Sequence, residues 1–115
     1  MIMHELSIAL EIVDQISEYF ETSELSKVFE VEIDIGELSG VDKDNLSFML
    51  PFAVKGSVIE NSIIRFNVIK GKANCLSCHS DYDILEIYDV CPFCHNFEKQ
   101  IIQGKEFKIS TILAD

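Results

Sequence analysis

The sequence of 115 residues contains no Trp, only two Pro, few basic residues and no long apolar stretch. Its longest run without a polar side chain covers residues 48–54, whereas a membrane-spanning helix needs about 20 apolar residues. The first basic residue is Lys27, so the N-terminus lacks the positive start of a secretory signal. These absences predict a cytoplasmic protein without a membrane span.

The scarcity of basic residues leaves a net charge of −11, which is unevenly distributed. Residues 1–42 contain eleven acidic residues and one Lys, a net charge of −10; residues 43–115 contain nine acidic and eight basic residues, a net charge of −1. Because an acidic surface repels phosphate backbones, nucleic acid is a poor candidate partner. The acidic N-terminal third favours a cation or a basic protein as partner, with a merely solvated face as the alternative.

The remaining composition is that of a globular domain, since apolar residues make up 48% of the chain. Helical spacing of apolar residues predicts a first helix over residues 5–21, which the polar segment 22–26 ends. A second helix is predicted to begin at Asp42 or Asp44, with Pro51 causing a kink or a break.

Three strands complete the predicted core. Alternation of apolar and polar residues predicts a strand whose buried face carries Phe29, Val31, Ile33 and Ile35. Further strands are predicted at residues 64–68 and 107–113, the last with one face formed by Phe107, Ile109, Thr111 and Leu113. The predicted fold class is α+β, with two helices packed on a small mixed β-sheet.

Four cysteines form two pairs, Cys75-Leu-Ser-Cys78 and Cys91-Pro-Phe-Cys94, with twelve residues between the pairs. Two such turns can bring four thiolates onto one tetrahedral metal ion. Zinc is the predicted metal, and a rubredoxin-type iron site, which uses the same ligands, is the alternative. Because four thiolates leave no open coordination position, the predicted role of the ion is structural.

The cysteine segment interrupts the predicted core. We expect residues 72–103 to form an inserted, zinc-ribbon-like lobe and residues 1–71 plus 104–115 to form an α/β domain. Strands predicted at residues 84–88 and 97–102 would carry the two cysteine turns together.

A histidine follows each pair, at His79 and His95. The pattern Cys-x-x-Cys-His also attaches c-type haem, but these two pairs lie too close together for two haems. Metal-binding turns of this kind favour positive φ here, which glycine adopts more readily than histidine. Two interpretations stay open: exposed loop histidines, or a pH-sensitive shell around the metal.

A third histidine, His4, lies in the first turn of the first predicted helix. An imidazole, backbone amide nitrogens and an α-amine near a chain end form a nitrogen-rich, square-planar ligand set that suits Ni²⁺ or Cu²⁺. An ordinary exposed histidine is the alternative.

The order of the motifs along the chain resembles that of the HypA family, nickel-insertion accessory proteins of nickel–iron hydrogenase maturation. The resemblance rests on Met3-His4-Glu5-Leu6-Ser7, Gly36-Glu37-Leu38-Ser39-Gly40, the two cysteine pairs and Gly104-Lys105-Glu106-Phe107. It runs from Met3 nearly to the C-terminus. The family begins at Met-His-Glu, whereas Met1-Ile2 precede that motif here.

The resemblance implies a nickel metallochaperone rather than an enzyme, so no catalytic residue is predicted. It implies nickel at Met3, His4 and Glu5, and structural zinc at Cys75, Cys78, Cys91 and Cys94. The implied partners are a nickel-binding maturation GTPase and the hydrogenase large subunit. Some family members also deliver nickel for urease. Whether this chain forms a homodimer is left open. The residues alone leave two alternatives, a zinc-ribbon interaction module of a transcription or nucleic-acid complex and a rubredoxin-like electron carrier.

Overall fold

A computed structural model describes residues 2–21 and 27–115, with only the backbone described for Ile2, Met3 and Glu21. The predicted end of the first helix, at residues 22–26, lies outside the described residues. The described parts contain two helices and six strands, in the order α1 (Ile2–Glu21), β1 (Val28–Gly36), α2 (Lys43–Ala53), β2 (Ile63–Ile69), β3 (Lys72–Cys75), β4 (Asp81–Asp83), β5 (Lys99–Gln103) and β6 (Phe107–Ala114). Within them, neither helix is long and apolar enough to cross a bilayer.

The chain forms two compact units. The first unit comprises residues 1–33, 42–66 and 109–115, and the second comprises residues 34–41 and 67–108. The lobe boundaries predicted from the sequence, at residues 72 and 103, stay a prediction.

One sheet has the strand order β2-β1-β6. β2 runs parallel to β1, as hydrogen bonds toward its two ends show: Ser62 Oγ to Val28 O and Glu37 N to Ile69 O. β6 runs antiparallel to β1, as the bonds at its ends show: Gly36 N to Glu106 O and Asp115 N to Lys27 O. This mixed sheet and the two helices confirm the predicted α+β fold class.

The core of the first unit is formed by one face of α1 and by apolar residues of β1 and α2. The buried side chains of α1 recur every three or four residues: Ala9, Ile12, Val13, Ile16 and Phe20. α1 contacts α2, whose Leu46 and Leu50 are also buried. Burying each Leu, Ile, Val or Phe side chain of this core stabilises the fold by about 1.5–3 kcal/mol.

Two predicted strand faces are wrong in part. Phe29 is 45% exposed while Val28 is buried, because the alternation of β1 is interrupted between Val28 and Val31. In β6, Ser110 and Thr111 are both exposed. The alternation of β6 therefore shifts by one residue after Ile109. Ile112 and Ala114 are half-buried, as Phe107 and Ile109 are, whereas Thr111 and Leu113 are exposed.

α2 begins at one of the two predicted positions and continues past Pro51. Asp42 is its N-cap, and one carboxylate oxygen accepts hydrogen bonds from Asp44 N and Asn45 N at 3.0 and 3.2 Å. Of the kink or break predicted at Pro51, the break does not occur, since the helix runs on to Ala53. The proline removes an N–H partner from the carbonyl of Ser47, which is an exposed residue, so water can satisfy that carbonyl.

The second unit is built on a sheet of order β4-β3-β5 with antiparallel pairs. The strand predicted at residues 97–102 corresponds to β5, but the strand predicted at residues 84–88 is wrong. There the chain turns, because Asp89 Oδ2 accepts hydrogen bonds from Leu85 N and Glu86 N at 2.9 and 3.2 Å. These backbone N–H groups hold the pKa of Asp89 below its ordinary value.

Two of the motif segments meet within the second unit. Leu38 N donates to Gly104 O at 2.7 Å, and a Cβ atom on Gly36 would lie 1.9 Å from that same oxygen. Gly104 itself has a φ of 111°, which side-chain-bearing residues rarely adopt. The close approach of the two backbones therefore requires glycine at both positions.

Candidate metal centre

The four cysteines come together at the end of β3 and in the following turns. Their four Sγ atoms all lie within 4.8 Å of one another, with Cys75–Cys94 at 3.4 Å and Cys78–Cys91 at 3.6 Å. Four sulfurs at about 2.3 Å from one tetrahedral ion lie about 3.8 Å apart. The cluster therefore has the donor set and spacing for a tetrahedral metal ion.

The two cysteine turns have the same backbone hydrogen bonds. The amide four residues after the first cysteine of each pair donates to the carbonyl of that cysteine: His79 N to Cys75 O at 2.9 Å and His95 N to Cys91 O at 2.8 Å. The amide of that cysteine donates to the carbonyl five residues on: Cys75 N to Ser80 O and Cys91 N to Asn96 O. The repeated sequence pattern thus encodes two equivalent turns.

These turns give His79 and His95 positive φ angles of 64° and 65°, the only ones among non-glycine residues in the described parts of the chain. This confirms the conformation that the motif predicts. Both side chains are exposed. A left-handed conformation raises the energy of a residue with a Cβ by roughly 1–2 kcal/mol.

Hydrogen bonds within the cluster give its thiols different pKa values. The hydroxyl and backbone N–H of Ser80 lower the pKa of Cys78 to about 6, and the backbone N–H of Cys78 lowers that of Cys75. For Cys94, the backbone N–H of Asn96 lowers the pKa, but hydrogen bonds with other thiols and burial outweigh it and raise the pKa to about 11. A metal that binds all four sulfurs as thiolates must therefore displace protons that they hold unequally.

Sequence reasoning missed the polar groups around the sulfurs. Ser80 and Asn96 each stand five residues after the first cysteine of a pair, and Asn96 Nδ2 contacts Cys94 Sγ at 3.6 Å. Tyr82 is buried with no hydrogen-bond partner for its hydroxyl among the described residues. Burial first, and then the nearby thiolates, raise the pKa of Tyr82. Only the shared five-residue spacing of Ser80 and Asn96 offered a sequence signal.

The N-terminal candidates belong to the first unit. His4 is exposed and Glu5 is 2% exposed in the first turn of α1, and the Met3 side chain lies outside the described residues. Glu5 Oε2 accepts a hydrogen bond from Asp42 N at 3.3 Å, while Oε1 is buried without a partner among the described residues. In residues 2–21 and 27–115, the cysteines form the only cluster of three or more metal-ligating side chains.

A family model described as hydrogenase/urease nickel incorporation, metallochaperone, hypA matches residues 3–114 of this chain. A hydrogenase maturation factor HypA from Parabacteroides distasonis is 37% identical over 111 residues, which cover 96% of each chain. A factor of the same name from Prosthecochloris aestuarii is 34% identical over 110 residues, covering 96% of this chain and 97% of the relative.

Two solved structures share the fold. The solution structure of the Ni metallochaperone HypA from Helicobacter pylori has a TM-score of 0.65 and 23% identity, covering 96% of each chain. A solution structure of a HypA protein has a TM-score of 0.69 and 24% identity, covering 97% of this chain and 96% of the other. The similarity extends over both units of the chain.

Proposed function

Because this chain belongs to the HypA family of hydrogenase/urease nickel-incorporation metallochaperones, we propose that it binds Ni²⁺ and delivers it during hydrogenase maturation. The observation that carries the proposal is the extent of the family match. It spans residues 3–114, so it includes the N-terminal Met-His-Glu and all four cysteines. The relatives are maturation factors, which disfavours the alternative of a zinc-ribbon module in a transcription complex.

The proposed nickel ligands lie in the first turn of α1. The first four amide groups of a helix have no partner within the helix, so backbone nitrogens near His4 are available beside its imidazole. Exposure of His4 allows nickel to enter and leave. Met3 and Glu5 are proposed as further contributors. Glu5 Oε1 is buried and has no hydrogen-bond partner among the described residues, which supports a cation nearby.

The proposed occupant of the cysteine cluster is Zn²⁺ in a structural role. Four thiolates suit zinc and leave no open position for water or substrate. Such an ion supplies folding energy to a small lobe that has few large buried apolar residues. In the second unit, the buried cluster contains Ala73, Tyr82 and Ile84 beside the cysteines.

The proposed partners are a nickel-binding maturation GTPase and the hydrogenase large subunit, in the cytoplasm. We propose that the GTPase docks on an acidic ridge of α1, defined by Glu11, Asp14, Glu18 and Glu21. Glu11, Asp14 and Glu18 are exposed, and the side chain of Glu21 lies outside the described residues. Nickel delivery would require no catalytic group in this chain.

Hydrogenase maturation in a host that lacks its own copy of this protein tests the function. We expect the parent chain to restore nickel to the hydrogenase large subunit and His4→Ala to fail, while His95→Ala, which alters another exposed histidine, restores it. Urease activity measured in the same strains shows whether that enzyme is also served. Full restoration by His4→Ala would contradict the proposed nickel site.

A further inference from the structure

The outward face of α2 carries an aromatic pair. Phe48 and Phe52 lie one turn apart, are 65% and 58% exposed, and have ring centroids 5.8 Å apart. The opposite side of the helix is already packed, since Leu46 and Leu50 are buried in the core. A surface helix normally has polar residues on its outward face. The two rings instead form contiguous apolar surface, which marks an interaction site.

Opposite charges flank this pair along the helix. Asp44 lies one turn before Phe48 and shares its face. Lys55 follows the end of α2, and its Nζ atom lies 5.8 Å from the centroid of the Phe52 ring. Asp44 and Lys55 are both exposed, and neither forms an ion pair with another described residue. We call Asp44, Phe48, Phe52 and Lys55 together the α2 stripe, which has an acidic end, two aromatic rings and a basic end.

The order of these residues makes the α2 stripe complementary to itself. From the midpoint between Phe48 and Phe52, Asp44 lies about 9 Å in one direction along the helix axis and Lys55 about 8 Å in the other, at about 1.5 Å per residue. A two-fold axis through that midpoint would set a second α2 antiparallel to the first. Asp44 of each copy would then lie near Lys55 of the other, with four aromatic rings between the two ion pairs.

The segment that contains the α2 stripe lacks the strong negative charge of the N-terminal third. Residues 43–66 contain three basic and two acidic residues, a net charge of +1, whereas residues 1–42 have a net charge of −10. Like charge on two facing surfaces opposes their association. Two copies that meet through α2 therefore avoid the repulsion that two copies meeting through α1 would experience.

We propose that two copies of this chain associate through their α2 stripes into a two-fold symmetric dimer. Such an interface uses the same patch on both subunits, as the order of charges along the stripe requires. With 65% and 58% of their side chains exposed, the two rings offer roughly 200–300 Å² per chain, at about 150–250 Å² for a whole aromatic side chain. Because interfaces below about 1,200 Å² in total are weak, we expect the dimer to form only at high protein concentration. The inference is independent of which metals the chain binds.

Sedimentation equilibrium of the full, zinc-loaded chain, from about 10 µM to about 1 mM, tests the proposal. We expect the average mass of the parent to rise from that of a monomer toward that of a dimer over this range. Phe48→Gln with Phe52→Gln should stay monomeric throughout, and should keep the fold because both side chains are exposed and Gln is a good helix former. Phe97→Gln, which alters an exposed Phe of the second unit, is the matched control and should dimerise as the parent does.

Charge reversal tests the antiparallel arrangement. Asp44→Lys alone would bring two lysines together at each end of the interface, and Lys55→Asp alone would bring two aspartates together. Because the symmetry doubles each effect, either variant should dimerise about tenfold more weakly than the parent. An equimolar mixture of the two variants should form a heterodimer as readily as the parent dimerises, because opposite charges then meet at both ends. Glu86→Lys, an equal charge change at an exposed residue outside α2, should leave dimerisation unchanged.

Three results would overturn the proposal. The first is a parent that stays monomeric up to about 1 mM; if Phe48→Gln with Phe52→Gln then also abolishes hydrogenase maturation, the α2 stripe belongs to an interface with a different protein. The second is a dimer that the same double variant leaves unchanged, which would place the contact elsewhere on the chain. The third is the absence of a heterodimer from the mixture of Asp44→Lys and Lys55→Asp, which would exclude the antiparallel two-fold arrangement.

Discussion

Glu5 Oε2 accepts a hydrogen bond from the backbone N–H of Asp42 at 3.3 Å, across 37 positions of sequence. Asp42 is the N-cap of α2, so this contact joins the first turn of α1, with His4, to the start of the second helix. The other carboxylate oxygen of Glu5 is buried and has no partner in the described structure. Glu5 thus links the fold to the proposed nickel site.

Replacing Glu5 by Gln should separate its structural contribution from its part in metal binding. Glu5→Gln keeps an acceptor for Asp42 N but replaces the buried Oε1 by an amide nitrogen, so we expect the nickel-free protein to unfold within about 1 kcal/mol of the parent and to bind nickel more weakly. Glu5→Ala also loses the acceptor and should be less stable by about 1–3 kcal/mol. Thermal unfolding and nickel titration measure the two effects, and a Gln variant less stable than the Ala variant would show this account of Glu5 to be wrong.

Removing one thiol tests the structural zinc. The parent should contain about one zinc per chain, and Cys75→Ser should lose it together with the fold of the second unit, since structural zinc supplies about 10–16 kcal/mol in such modules. We expect the amide signals of the first unit to persist. Ser77→Ala, in the same turn, is the matched control and should keep its zinc. A second unit that stays folded without any metal would refute the structural role.

The left-handed residues His79 and His95 allow a test of backbone strain. Glycine adopts their φ angles of 64° and 65° without the penalty of a Cβ, so His79→Gly or His95→Gly should stabilise the second unit by up to about 1 kcal/mol. Ser77→Gly, at a residue without positive φ, should destabilise it. Zinc release to a competing chelator and urea unfolding report the difference. If His79→Gly and His95→Gly destabilise the second unit as much as Ser77→Gly does, backbone strain at the histidines does not control its stability.

Docking through the acidic ridge should depend on salt. Screening lengths fall from about 10 Å at 0.1 M to about 3 Å at 1 M ionic strength, so affinity for the maturation GTPase should fall over that range. We expect Asp14→Lys with Glu18→Lys to weaken binding at least tenfold in low salt. The control pair, Glu60→Lys with Glu86→Lys, changes exposed charges outside α1 and should leave binding unchanged. Equal affinities for the two double variants would leave the ridge as a merely solvated face.

The parts of the fold that the sequence predicted are those governed by local periodicity. The apolar stripe from Ala9 to Phe20 and the strand β1 follow directly from spacings of 3.6 and 2 residues. The cysteine cluster was predictable because each pair encodes its own turn, down to the positive φ of the residue that follows it.

The errors arise where one contact overrides the local pattern. The stretch Ile84–Tyr88 has the apolar content of a strand, yet the carboxylate of Asp89 binds two of its amides and makes a turn. The contact between Glu5 and Asp42 and the approach of Gly36 to Gly104 join residues that are distant in sequence. No periodicity reports such pairings, because they depend on how the elements pack.

Nickel titration of the zinc-loaded chain, followed by equilibrium dialysis with metal analysis, tests the central claim most directly. The account predicts that the parent binds nickel tightly, that His4→Ala loses this binding while keeping its zinc, and that the control His79→Ala keeps both metals. It predicts the separation because His4 belongs to the first unit and the four cysteines to the second. A His4→Ala protein that binds nickel as tightly as the parent would contradict the account and direct attention to the histidines beside the cysteine pairs.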